Sequence, residues 1–459
     1  MKKHTITLFV FAFSLFLGSH SQAQSKKWTL SECVDYAIEN NISIKQSELD
    51  SQSAALQKSN AIGNFLPTFN INGSHSWNIG LNQNITTGLL ENQTTQFTSA
   101  GINSNVTIYN GLQNQNRLRR ANLSILAAQY QLTKMKDDIS LNVANAFLQI
   151  LFNKENLKVQ KEQLAINEKQ LIRSQELVNA GVIPRGDLLD IKATVANNSQ
   201  AIVTAENALL ISKLSLAQLL QFKDFADFDI AEEDYVQKDN AILLQTPKTI
   251  YQKAKEDRVE LKIAKTNLDI AEKDVKIAKG AYQPSLQGYY GFSTRAGYSD
   301  RVVGFETNGT PILAPALPVF DQFDENKGHS FGLQINIPIM NGFSVRNNVT
   351  QSKITLERSK LAFSQQELDL ERNIFTAFTD ANGAVKAHES AITALEARQE
   401  AFNYAKEKYD VGMMNAFDFN QSQTLLANAK SEVIRTKYDY IFRIKVVEYY
   451  FGIPIIQKQ

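Results

Sequence analysis

The sequence predicts a mainly α-helical chain that also contributes strands to a membrane β-barrel, with long α-helical hairpins, four strands per chain and two internal repeats. Three observations predict this. Leu112–Ala180 contains no Gly or Pro and neither does Asp187–Thr246, so the punctuation of that region is concentrated in Gly181, Pro184 and Gly186. Gly and Pro are costly inside helices and collect where a chain reverses. Two pairs of short segments alternate apolar and polar residues, the pattern of strands with one greasy face and one polar face. Finally, landmarks return at one constant offset: Asn110-Gly111 as Asn341-Gly342, Gly181 as Gly412 and Asp187 as Asp418.

Composition sets outer bounds. The chain has 459 residues, with 48 basic against 47 acidic side chains. Residues 1–23 read as a secretory signal peptide. Lys2 and Lys3 give the positive start, Ile6–Leu17 an apolar core too short to span a bilayer, and Ser21-Gln22-Ala23 small residues before a cut at Gln24. Removing the leader leaves a net charge of about −1 and no basic footprint for nucleic acid. Cys33 is the only cysteine; it excludes an intramolecular disulfide and reads as a small buried hydrophobe. Beyond the leader no apolar run approaches the length of a spanning helix, about 18 residues or more, so any membrane span must be a β-barrel.

The first repeat, 24–246, opens with a helix over Trp28–Asn64. Leu30, Val34, Ala37, Ile38, Ile42 and Ile44 recur near the 3.6 period, with Ser31 as N-cap. Two barrel strands follow within about 67–109. Phe69–Ile79 alternates Phe69, Ile71, Trp77 and Ile79 with Asn70, Asn72, Ser74 and Asn78; Phe97–Tyr109 alternates Ile102 and Val106 with Asn103 and Asn105. A polar loop, Gly80–Gln96, joins them. Leu112–Ala180 is a helix roughly 100 Å long at about 1.5 Å per residue. It needs a partner along its whole length, which implies a coiled coil. The tip at Gly181–Asp187 reverses the chain, and Asp187–Phe222 returns, completing a hairpin over about 112–222. An acidic connector, 223–246, ends the repeat.

The second repeat, 247–459, has a helix over Pro247–Gly280, strands Ser285–Thr294 and Phe331–Ile339 within about 284–340, and a helical hairpin over about 343–451. Pro67 returns as Pro284, a shorter step than the one that separates the later landmarks, so the second repeat carries extra chain in the loop between its strands. Helices that span a set distance keep their length, whereas a loop in solvent need not.

Four strands cannot close a barrel, and open edges are forbidden in lipid. The chain must therefore oligomerise, and three copies supply twelve strands with apolar residues toward lipid and Asn, Ser, Thr and Gln toward a wet lumen. Trp77, Phe97, Tyr109, Tyr290 and Phe292 are candidates for interfacial girdles. The alternative, a soluble sandwich, fits poorly with paired strands separated by very long helices.

Leu-Pro-Thr-Phe at 66–69 and Gln-Pro-Ser-Leu at 283–286 start strands; Ile-Tyr-Asn-Gly at 108–111 and Ile-Met-Asn-Gly at 339–342 end them. With the two Gly-x5-Asp tips, this ordered and repeated set resembles the TolC-like outer-membrane efflux proteins over Trp28–Ile456. The resemblance implies a homotrimer with a twelve-stranded barrel in the outer membrane and a helical tunnel narrowing through the periplasm. It implies a tripartite efflux or type I secretion duct, working with a periplasmic adaptor (membrane fusion protein) and an inner-membrane RND or ABC transporter. By position, Ala180, Gly181, Val182, Val411, Gly412 and Met413 become adaptor-docking tips, while Asp187, Asp190, Asp418 and Tyr409 become the periplasmic gate. The family also has a gate arginine two residues after the second tip glycine; this chain has Met414 there.

The tip aspartates have a physical reading of their own. Three copies of each at one narrow end would repel by roughly 0.7 kcal/mol per pair at about 6 Å and water-like screening, and would attract cations. The competing reading is local: Asp at a helix start caps it and complements its dipole.

No enzyme chemistry emerges. His75, His329 and His388 are scattered, no metal-ligand or nucleophile motif occurs, and Gly181-x4-Gly186 is followed by Asp187 where a phosphate loop needs Lys. The sequence calls for no cofactor and no metal. Two function classes follow: a passive duct driven by a partner pump, or a structural or adhesive outer-membrane protein with a coiled-coil periplasmic stalk.

Overall fold

A computed structural model describes residues 26–84, 88–223, 228–232 and 241–454. The expected signal peptide and much of the 223–246 connector lie outside the described residues. The chain divides into two compact units: the described parts of Met1–Glu48, Gln131–Leu261 and Gln366–Gln459, and the described parts of Leu49–Tyr130 and Lys262–Gln365.

The order begins with β1 (Lys27–Trp28), α1 (Leu30–Asn40) and α2 (Ile42–Gly63). Strands β2 (Thr68–Gln83) and β3 (Leu90–Asn110), then helices α3 (Gln113–Asn179) and α4 (Arg185–Leu220), complete the first set, and β4 (Asp229–Ile230) follows. The second set is α5 (Pro247–Asp257), α6 (Val259–Gly280), β5 (Ser285–Gly297), β6 (Arg301–Phe305), β7 (Pro311–Ala314) and α7 (Val319–Glu325). It ends with β8 (Gly328–Asn336), α8 (Ser344–Asp410) and α9 (Ala416–Phe451). The internal repeat holds at the level of element lengths. Helices α1 and α5 have 11 residues each, and α2 and α6 have 22 residues each. Helices α3 and α8 have 67 residues each, and α4 and α9 have 36 residues each.

Several boundaries differ from those the sequence predicts. The helix expected over Trp28–Asn64 is two helices, because Asn41 is extended (φ −63°, ψ 131°). Its side chain accepts from Ser43 N at 2.9 Å, starting α2, and donates to Leu219 O at 2.9 Å. The Pro247–Gly280 helix breaks in the same way at Arg258. The first cap is Thr29 rather than Ser31: a capping box joins Thr29 and Glu32. The loop expected over Gly80–Gln96 is mostly strand. Its polar side chains support the backbone, as when Asn82 Nδ2 donates to Gln93 O at 2.9 Å, so polarity there signals exposure and not a loop. The longer second loop is itself folded into β6, β7 and α7, and Gln322 ties α7 to β5 through Gly297 N and O at 2.9 Å each. Strand β8 ends at Asn336 instead of Ile339; Pro338, two residues on, has no N–H for a ladder.

In the second unit β2, β3, β5 and β8 form an antiparallel sheet in that order, so β2 and β8 are its edges. The register aligns the faces. Ile71, Ile102, Phe292 and His329 lie in one cross-strand row, and Phe69, Ser104, Tyr290 and Phe331 in another. Asn70–Asn103 and Ser74–Ser99 pair in the intervening rows. The apolar face stands in solvent in the single chain: Ile71 is 84% and Phe331 80% exposed. Phe97 does not join the girdle expected of it, since it pairs with Ser76 and Gly297 and so belongs to the polar row.

The first unit holds two apolar cores. Cys33, Val34, Ala37, Ile44, Val143, Phe147, Leu216, Leu220 and Ile230 form one. Ile250, Ala254, Ile374, Ala381, Ile444 and Val447 form the other.

Candidate functional site

Both hairpin tips belong to the first unit, and both are built by the same hydrogen bonds. Gly181 N donates to Val178 O and Val182 N to Leu177 O; at the matching positions of the second repeat, Gly412 N donates to Tyr409 O and Met413 N to Lys408 O. The six-to-one bond around a left-handed residue is a Schellman cap. It needs positive φ, found at 73° for Gly181 and 77° for Gly412. An L side chain would be strained at either position.

The expected docking residues all sit on these tips. Ala180, Gly181, Val182, Val411, Gly412 and Met413 are exposed, with Val182 at 67%, Val411 at 70% and Met413 at 78%. Leu189 and Phe417 add exposed apolar surface near the starts of the return helices.

The return helices start two residues earlier than expected, at Arg185 and Ala416, so neither Asp187 nor Asp418 is an N-cap. Pro184 and Asn415 occupy those positions. Asp418 is instead the reciprocal partner of its cap: its N–H donates to Asn415 Oδ1 at 2.8 Å, and its carboxylate accepts from Asn415 Nδ2 at 2.9 Å. Asp187 stands in the first turn of α4, where a negative charge complements the helix dipole. Asp190 lies exposed beyond it on the same helix. Its counterpart in the second repeat is Gln421, so this charge belongs to one repeat only.

Tyr409 is half-buried, and its surroundings have no signature in the sequence. Its hydroxyl accepts from Gln170 Nε2 at 2.5 Å and its ring stacks on Phe419 at 4.6 Å. One residue on, Asp410 Oδ1 meets Arg173 Nη1 at 2.5 Å. Gln170 and Arg173 lie one turn apart on α3, and Tyr409 and Asp410 end α8, so two adjacent contacts tie one hairpin to the other. Nothing local marks Gln170 or Arg173 among the many polar residues of a helix this long. Only the pairing of α3 with α8 singles them out.

Behind this pair the packing is unusually polar. Asn167, Ser174 and Gln423 are at most 2% exposed, and their side-chain polar atoms have no hydrogen-bond partner among the described residues. Gln423 also lines a cavity of about 90 Å³ with Ile166, Phe402 and Leu426. Among the described residues no helix is long and apolar enough to cross a membrane, and no cluster of three metal-ligating side chains occurs.

Comparison with known proteins agrees with this architecture. A sequence model of the outer membrane efflux protein family matches residues 33–220 and 250–442. The outer membrane protein TolC of Escherichia coli is 23% identical over 357 residues, covering 74% of this chain and 68% of that one. The crystal structure of CusC superposes with a TM-score of 0.77 at 16% identity, covering 93% and 92% of the two chains. The Campylobacter jejuni CmeC outer membrane channel gives 0.77 at 18% identity, covering 92% and 85%.

Proposed function

The chain belongs to the outer membrane efflux protein family and is an outer-membrane channel for efflux with a helical periplasmic tunnel, and on that premise we propose that it works as a homotrimeric exit duct gated at its hairpin tips. Three copies would close twelve strands into a barrel, with the Asn and Ser rows lining the lumen and the apolar rows facing lipid. The duct is passive. A periplasmic adaptor (membrane fusion protein) seats on Ala180–Val182 and Val411–Met413, and an inner-membrane RND or ABC transporter drives small molecules or proteins through it. Type I secretion is included in this reading.

The observation that carries the gate is the double contact between hairpins, Gln170 to Tyr409 and Arg173 to Asp410. Arg173 supplies the cation missing at Met414, but from α3 rather than from the tip itself. The exposed ion pair of the two is weak, worth about 0.2–1 kcal/mol. Weakness suits a latch that adaptor binding must undo. Planar-bilayer recording tests this. Arg173→Ala combined with Tyr409→Phe should raise single-channel conductance several-fold over the unmodified channel. Equal conductances would mean that the two contacts do not hold the duct shut.

A further inference from the structure

We infer that α7 is a membrane-interfacial helix: the chain between β5 and β8 folds back onto the lipid-facing side of the sheet and seats Phe320 at the headgroup–acyl boundary of the outer leaflet. The inference rests on the reading above that the apolar rows face lipid. Cross-strand register fixes which side of the sheet α7 covers. Thr294 and Ala296 follow Phe292 at alternate positions of β5, so they share its face, in rows with Gly73 and Ala100 and with His75 and Thr98. Thr294 is 7% and Ala296 0% exposed, and Thr294 Oγ1 donates to Phe323 O at 2.8 Å. Ser293 and Arg295, which point to the polar side, are exposed. Helix α7 therefore lies over the apolar face and leaves the polar face open. It is fastened there by Gln322, which holds Gly297 N and O, and by Asn326 Nδ2, which donates to Arg295 O at 2.9 Å.

Level and chemistry choose lipid as the occupant of the helix's outer side. Strand β5 leaves α6 at Ser285 and ends at Gly297, so α7 sits at the end of the sheet farthest from α6, the outer side of a channel whose helices are periplasmic. The rows it covers are those of Gly73 and His75 on β2, and the exposed apolar face continues beyond them through Trp77, Ile79 and Leu81. The helix is thus at the outer rim of the apolar band and not clear of it. Trp77 and Tyr298 flank the ring of His75 on this face, and the Tyr298 hydroxyl lies 2.9 Å from Thr98 Oγ1. Trp and Tyr gather at that depth of a bilayer. Pro311–Phe320, Pro-Ile-Leu-Ala-Pro-Ala-Leu-Pro-Val-Phe, has no polar side chain, yet Ile312 and Leu313 are about half exposed and Phe320 is 83% exposed. Exposed apolar surface of this kind, continuous with a lipid-facing sheet, is what a bilayer covers. Asp321, Asp324 and Glu325 set the depth: they are exposed as well, and charge is costly within hydrocarbon, so the helix lies at the boundary with its acids among headgroups. The first repeat has only the short connection between Gln83 and Leu90 in this place, so a trimer would carry three such helices.

Nitroxide labels on the full-length protein in lipid vesicles test this. Single cysteines are placed by Phe320→Cys, by Ile71→Cys as the lipid reference, and by Thr307→Cys, in the polar turn between β6 and β7, as the water reference. Cys33 is buried and should take no label, which the unmodified protein checks. Paramagnetic resonance then reads collision with dissolved oxygen, which concentrates in lipid, and with a water-soluble nickel chelate. The oxygen-to-nickel ratio at Phe320→Cys should exceed that at Thr307→Cys at least about fivefold and approach that at Ile71→Cys. A ratio equal to that of Thr307→Cys puts α7 in water and overturns the inference. Low collision with both reagents means that a neighbouring copy or another protein covers Phe320, and overturns it too. A water-like ratio at Ile71→Cys strikes instead at the reading of the apolar rows as lipid-facing.

Discussion

Arg258 is a charged residue only 6% exposed, at the break between α5 and α6. Its guanidinium donates to both oxygens of Glu260, to Tyr449 O and to the Tyr449 hydroxyl, and lies 3.8 Å from that ring's centroid. A buried cation is tolerable only when paired this completely. In the first repeat Asn41 occupies the same break and reaches Leu219 O with a neutral amide, so one fastening is made with two chemistries. Burial alone would raise the Glu260 carboxyl, but the hydrogen bond and charge of Arg258 outweigh it and hold the pKa below the ordinary range. The pair therefore stabilises the fold above the unfolded carboxylate pKa of about 4.3, and that contribution is lost as pH falls through the depressed folded value. Burial raises nearby Asp137 instead, so acidification relieves a cost there. Thermal melts from pH 7 to pH 3 should show Glu260→Gln less stable than the unmodified protein at neutral pH and nearly equal to it at the acid end. Parallel curves would remove the Arg258 pair from the acid limb. This role is invisible in the sequence, because an arginine within a helical pattern reads as a solvated face.

At the scale of elements, the hairpins are legible in the sequence because their signals are long-range and redundant. Long stretches free of Gly and Pro mark the helices, and the tip glycines fall where positive φ is required. The breaks at Asn41 and Arg258 are not legible, since each is made by one side chain reaching a distant carbonyl. Folded β6, β7 and α7 escape notice because a stretch rich in Gly and Pro reads as a loop even when hydrogen bonds order it. The tips themselves offer small, exposed, apolar surface on a rigid cap, which suits docking of another helical hairpin. Val182→Glu with Met413→Glu leaves the caps' backbone bonds intact and places charge in that contact. Efflux in cells should fall toward that of a strain lacking the channel, while conductance in bilayers stays unchanged. Efflux at the unmodified level would place adaptor docking elsewhere.

For the whole molecule, the decisive property is that the helical hairpins of the two repeats are equal in length, which in a homotrimer would bring all tips to one level. With α3 matching α8 in length and α4 matching α9, three copies would present six tips with the same cap geometry. Charge at that level is not equally distributed. Asp187 and Asp418 are each accounted for by a helix start, one by the dipole and one by its exchange with Asn415. Asp190 lies past the first turn with no such duty, and Gln421 at the matching position shows that the helix does not need the charge. A gate residue facing the lumen would give a ring of three carboxylates, repelling by roughly 0.7 kcal/mol per pair at about 6 Å and more where water is partly excluded. Such a ring gathers divalent cations, which would plug the duct. Asp190→Asn should therefore weaken block by divalent cations in planar bilayers while changing stability little, since an exposed charge with no fixed partner contributes little to folding. Unaltered block would mean that Asp190 faces away from the constriction, and the cation-binding ring would then have to be sought at Asp187 and Asp418.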